Sequence, residues 1–143
     1  MRARISTRCG SSGFWVHADW YKVHRYGRGD IETTMDAAQL YEMLRKTQEP
    51  KGYYFNKDRE MTFGLLEGLL TNKERYGYMC CPCRLASGDR EKDRDITCPC
   101  VYRTPDVKEY GSCYCSLYVS EDWNREKTPH AYVPERRPAE KVK

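Results

Sequence analysis

Cys81-Pro82-Cys83, Cys98-Pro99-Cys100 and Cys113-Tyr114-Cys115 are three Cys-x-Cys pairs within one stretch, and how they are read decides what the chain folds around. A structural zinc site takes four thiolates or imidazoles, usually from Cys-x2-4-Cys knuckles. Cys-x-Cys is a tighter spacing, and six thiols overfill one zinc ion. A disulfide framework belongs to small secreted chains, and no apolar secretory region precedes these cysteines. An iron–sulfur cluster takes four thiolates, which leaves two, the number a redox disulfide requires. Counting alone leaves open which four would be ligands.

Arg84 directly follows the first pair, Tyr53-Tyr54-Phe55 lies upstream, and a Leu-rich segment leads into Cys81. In this order the chain resembles the catalytic (beta) chain of ferredoxin:thioredoxin reductase from Asp36 to Val119. The resemblance implies that Cys81, Cys98, Cys100 and Cys113 ligate a 4Fe-4S cluster. It implies that Cys83 and Cys115 form the adjacent redox-active disulfide, with Cys83 as the exposed thiol that attacks the acceptor and Cys115 near the cluster. The implied activity is a ferredoxin-dependent disulfide reductase that passes two single electrons to thioredoxin or a thioredoxin-like protein. A small variable subunit commonly accompanies the family's catalytic chain. A plant-type ferredoxin at about −400 mV and thioredoxin at about −270 mV differ by roughly 130 mV, worth about 6 kcal/mol for two electrons. Reduction would therefore run forward.

Two departures from the chloroplast-type pattern stand out. The spacers between pairs, fourteen and twelve residues, differ from it. The third pair holds Tyr114 where the pattern has a histidine with a proton-transfer role. A tyrosine titrates near ~10 and an imidazole near ~6.5. Tyr114, the remaining catalytic candidate, therefore either donates a hydrogen bond or leaves protons to arrive by water. The competing reading is a non-enzymatic iron–sulfur electron carrier or a zinc-binding structural module, neither of which needs Cys83 and Cys115 as a reducible pair.

At 143 residues the chain suits one domain. With 32% charged residues and few large aliphatics, its conventional core must be small, and metal binding would add to folding free energy. The expected fold is mainly α, a small loop-rich domain organised around an iron–sulfur cluster. Residues 1–34 read as an accessory or non-native extension, with a folded arm over the aromatic run 14–26 as the alternative. Within that extension His17 and His24 read as surface residues and Cys9 as a free thiol. The catalytic domain is expected over 35–134 and a basic tail over 135–143. No apolar run reaches bilayer length, so no membrane is expected. A net charge of +4 with no recognition motif argues against nucleic acid. A prokaryotic cytoplasm is favoured over a plastid.

Helix signals flank the cysteines. Thr33 or Asp36 can cap a helix carrying Ala37, Leu40, Tyr41 and Leu44, which Pro50 and Gly52 stop. A second helix is predicted from Asp58 to Lys73, with Met61, Leu65, Leu66, Leu69 and Leu70 as one core stripe and Gly77 beyond its end. The charge run from Ser87 to Asp95 reads as a solvated loop or short helix, or as a docking rim. Lys73, Arg75, Arg84 and Arg103 are candidates for steering an acidic ferredoxin. Cys80 reads as a packed spectator thiol. Ser120 can cap a turn through Trp123, and His130 could stand in for the missing imidazole.

Overall fold

The computed structural model describes residues 34–142. Asp36 caps α1 (Ala37–Gln48): its carboxylate accepts from Gln39 N at 2.7 Å while Gln39 Oε1 accepts from Asp36 N at 3.0 Å. This reciprocal box satisfies donors that the first turn leaves without partners. Leu40 and Leu44, one turn apart, are buried against α2. A short 3-10 turn over Glu49–Lys51 then leads to β1 (Tyr54–Phe55).

Asp58 caps α2 (Arg59–Tyr76), accepting from Met61 N at 3.0 Å. The helix runs one turn past Lys73 and stops at Gly77, whose φ of 82° suits a residue without Cβ. Its buried face is Thr62, Leu66 and Leu69, with Leu65 and Leu70 half-buried beside them. Met61 is outside the expected stripe, 42% exposed. Thr62 takes its place because its hydroxyl donates to Asn56 O at 2.9 Å, which lets a polar residue be buried without loss of hydrogen bonding.

β1 pairs antiparallel with β2 (Tyr118–Val119) in the register Tyr54↔Val119 and Phe55↔Tyr118. The described residues are about half helical, with this two-stranded sheet added to the expected mainly α fold. The sheet matters because it carries an aromatic column. Phe63 stacks on Tyr41 at 5.4 Å, Tyr41 on Phe55 at 4.7 Å, and Phe55 on Tyr118 at 5.4 Å. Through that column the two long helices are tied to the strand beside the third cysteine pair. Among the described residues no helix is long and apolar enough to cross a membrane.

Two shorter α-helices follow, with 3-10 turns over Arg94–Ile96 and Ala139–Lys141. α3 (Arg103–Tyr110) follows the second pair, and α4 (Glu121–Asn124) begins where Ser120 Oγ accepts from Trp123 N at 3.2 Å. The α3 sequence lacks a capping side chain and carries Pro105, which the first turn tolerates because its N–H would have no helical partner. The charge run is not wholly solvated: Asp93 is 0% and Asp95 9% exposed. Nor does the C-terminal segment hang free. Arg137 is buried and pairs with both aspartates at 3.2 Å. Cys9, His17, His24 and the aromatic run 14–26 lie outside the described residues.

Candidate functional site

α2 delivers the chain to the first cysteine pair, and an antiparallel bridge sets it against the second. Cys80 pairs with Thr97, Cys81 N donates to Ile96 O at 2.8 Å, and Cys98 N donates to Met79 O at 2.8 Å. Cys80 itself is fully buried and contributes packing. In extended backbone, residues two apart share a face. Here a turn closed by Arg84 N donating to Cys81 O at 3.2 Å separates them: Cys81 is buried and Cys83 exposed. The third pair sits in a second turn leading into β2. Cys113 N donates to Tyr118 O at 2.9 Å, Ser116 N to Cys113 O at 2.9 Å, and Tyr118 N to Cys113 Sγ at 3.3 Å.

All six cysteines of the motif are free thiols and meet in one region. Cys115 Sγ lies 3.7 Å from Cys81 Sγ and 3.8 Å from Cys113 Sγ, with the Cys83 thiol near enough to perturb its titration. Hydrogen bonds from Cys115 and then Cys83 hold Cys81 well below the usual thiol range, against its burial, and Arg84 adds to the effect. Cys115 also lowers Cys113. The same contacts with Cys113, Cys81 and Cys83 push Cys115 up, as does burial. Contact with Cys115 favours the Cys83 thiolate, but contact with Cys81, burial and neighbouring sulfur charge outweigh it and push Cys83 up to about 11. Burial raises Cys98 and Cys100. Several negative sulfurs cannot share so small a space unless protons, or a cation, compensate them. Among the described residues no three His, Cys, Asp or Glu side chains gather closely enough to hold a single metal ion.

Arg84 is the cation inside this group. Its side chain is 2% exposed. Nε and Nη2 grip Glu135 at 2.8 to 3.0 Å, leaving Nη1 to approach Cys100 Sγ at 3.5 Å and Cys81 Sγ at 3.9 Å. The guanidinium also lies 4.4 Å from the Tyr114 ring and 5.1 Å from that of Tyr102. Arg103 is likewise buried, donating to Gln48 Oε1 at 2.6 Å and lying 3.7 Å over Tyr53. Neither arginine is therefore available for steering a partner, whereas Lys73 and Arg75 are exposed. His130 stacks on Trp123 at 3.7 Å and bonds to its carbonyl, so it is not an imidazole for Tyr114. Burial raises the Tyr114 pKa, keeping the phenol protonated through neutrality.

A cleft of about 250 Å3 opens beside Cys83, lined by Arg84, Leu85, Tyr114, Glu135, Arg137 and Val142. With Cys83 counted, three of its seven lining residues come from the C-terminal segment. Glu135 and Arg137 carried no sequence signal, because a charged, Pro-bearing end looks the same whether it is docked or free.

The family model described as ferredoxin thioredoxin reductase catalytic beta chain matches residues 31–137. A ferredoxin-thioredoxin reductase catalytic chain of Porphyra purpurea is 33% identical over 88 residues, covering 57% of this chain and 70% of the relative. That of Synechocystis is 36% identical over 96 residues, covering 65% and 77%. A chloroplastic one of Arabidopsis thaliana is 31% identical over 98 residues, covering 62% of each.

Proposed function

This chain belongs to the ferredoxin thioredoxin reductase catalytic beta chain family, a family of disulfide reductases, and from that membership we propose how its six motif cysteines divide the work. Cys81, Cys98, Cys100 and Cys113 ligate a 4Fe-4S cluster, and Cys83 with Cys115 is the dithiol that reduces the acceptor. The observation that carries this reading is the asymmetry of the pair: Cys83 is exposed, while its partner Cys115 is buried and lies 3.7 Å from Cys81 Sγ. One thiol can meet another protein while the other stays with the prospective ligands.

The residues fit the cluster chemically. The donor set is all sulfur, and N–H groups of Tyr118 and Arg84 are directed at Cys113, Cys100 and Cys81, the kind of hydrogen bonding that tunes iron–sulfur centres. When bound, the cluster supplies single-electron chemistry beside the dithiol. Cys83, as thiolate, attacks one sulfur of the acceptor disulfide. That sulfur–sulfur bond breaks, a mixed disulfide forms, and the acceptor's second sulfur leaves as a thiolate. Cys115 then attacks the Cys83 sulfur, releasing the acceptor as a dithiol and closing the Cys83–Cys115 disulfide. The acceptor gains two electrons and takes up two protons, and two one-electron deliveries restore the dithiol. Tyr114 keeps its own proton and offers Arg84 the face of its ring, so the protons come from water through the cleft.

Ferredoxin as donor, thioredoxin or a similar protein as acceptor, and a small variable subunit are the partners the family implies. Action in a prokaryotic cytoplasm is part of the same proposal, supported by the Synechocystis relative. The test is iron and sulfide analysis of anaerobically purified protein, with thiols counted before and after reduction. Cys83→Ser is expected to keep its iron and lose thioredoxin reduction. Zinc in place of iron, or loss of iron from that variant, overturns the division of roles.

A further inference from the structure

We propose that Arg84 is a positioning residue that holds a positive charge against the thiolates of Cys81 and Cys100, and that Glu135 both fixes its pose and offsets part of its charge, so that the pair sets the reduction potential of the site. The inference rests on the reading that these cysteines ligate an iron–sulfur cluster.

The guanidinium is used from two edges. Nε and Nη2 bind the Glu135 carboxylate, a planar pairing that an arginine makes and a lysine does not. That pairing turns Nη1 toward the two sulfurs. The pose is held from behind as well. Arg137 N donates to Glu135 Oε1 at 2.8 Å, and the Arg137 side chain is anchored by Asp93, Asp95 and the Leu85 carbonyl. The C-terminal segment is therefore a strap that delivers one carboxylate to one guanidinium.

A site that accepts an electron becomes more negative, so a nearby buried cation favours its reduced state and a nearby anion disfavours it. Arg84 is almost wholly enclosed, with its side chain 2% exposed, whereas that of Glu135 is 32% exposed and more screened by water. The cation should dominate. The two residues should also act with opposite signs, which a purely structural role for either would not produce.

The experiment compares wild type, Arg84→Gln and Glu135→Gln, each reconstituted anaerobically with iron and sulfide. Iron and sulfide per chain are measured first, and the reduced fraction is then followed by visible absorption at stepped potentials. With iron content unchanged, Arg84→Gln is expected to lower the ratio of reduced to oxidised protein at fixed potential about tenfold, a one-electron shift of about 59 mV. Glu135→Gln, in which Arg84 keeps its stacking on Tyr114 and Tyr102, is expected to raise that ratio. Unchanged ratios, or shifts of the same sign in both variants, overturn the proposal. If Arg84→Gln does not hold iron, Glu135→Gln decides alone: a rise supports the proposal, and no change or a fall overturns it. If wild type takes up no iron, the ligand reading itself fails and the inference falls with it.

Discussion

Gly68, midway along α2, and Pro82, between the two cysteines of the first Cys-x-Cys pair, approach so closely that a Cβ on Gly68 would stand 3.0 Å from Pro82 Cβ. A glycine inside a helix sacrifices about 1 kcal/mol relative to alanine. Here the missing methyl lets the turn holding Cys81 and Cys83 settle onto the helix. Gly68→Ala should regain the helical preference but meet an overpacking penalty of about 1 to 3 kcal/mol, for a net loss of stability. Denaturant unfolding measures the sum. A gain in stability would mean that the turn shifts freely, and that its seat on α2 does not fix the cysteines.

Arg137 is the cation between Asp93 and Asp95, and none of the three side chains is more than 9% exposed. Removing one partner of a buried ion pair leaves uncompensated charge and commonly destabilises by about 3 to 5 kcal/mol. Tyr78 and Tyr102 still donate to the aspartates at 2.7 Å, and Lys141 lies 3.9 Å from Asp95, so Arg137→Ala should fall at the lower end. The same variant frees the strap carrying Glu135. Stability is read by chemical denaturation. A loss below about 1 kcal/mol, the range of exposed pairs, would show that water reaches the aspartates.

The same network predicts how stability changes with pH. Burial alone would raise Asp93 and Asp95, but hydrogen bonds from Tyr78 and Ser87 to the first and from Tyr102 to the second, with Arg137 serving both, hold each below the usual carboxylate value. A carboxyl depressed on folding contributes stability above its unfolded value near ~3.9 and loses it as pH falls through the lower folded value. Tyr78 and Tyr102 behave oppositely. Burial, then the hydrogen bond to an aspartate, pushes each up to about 12, so their contribution is present below ~10 and lost as pH rises through about 12. The contribution of this network should therefore be flat between these flanks, and Arg137→Ala should move the acid unfolding midpoint to higher pH. Tryptophan fluorescence against pH measures it.

Much of the framework was legible because it is local. Asp36 and Asp58 announce helix starts by their chemistry, and Gly77 announces an end. The cysteine pairs mark the site for the same reason: thiol-rich spacing has few structural uses. What the sequence hid was decided at a distance. Thr62 displaced Met61 from the core because a carbonyl six residues away accepts its proton. Asp93 and Asp95 look solvated until Arg137, more than forty residues on, is laid against them. Arg84 was visible as part of a motif, but its exit from the surface depends on Glu135, fifty-one residues away. Charged side chains give no local sign of burial when their partners are remote.

Tyr114 offers a sharper test of where protons come from. Its ring lies 4.4 Å from the Arg84 guanidinium, and burial keeps its hydroxyl protonated near neutrality. On the proposed reading the ring face, not the hydroxyl, is what the site uses. Tyr114→Phe preserves that face and with it a cation–π contact to an enclosed guanidinium, which is worth about 2 kcal/mol when desolvated. Disulfide reduction by Tyr114→Phe is therefore expected to stay within about fivefold of wild type with an unaltered pH profile, whereas Tyr114→Ala should fall further. Tyr114→His places a group titrating near ~6.5 beside Cys115 and should add an inflection near neutrality that wild type lacks. Steady-state rates with thioredoxin from pH 5.5 to 8.5 separate these outcomes, all pH limits being about one unit beyond that midpoint or more. A large loss in Tyr114→Phe would assign proton transfer to the phenol, and the water route through the cleft would have to be given up.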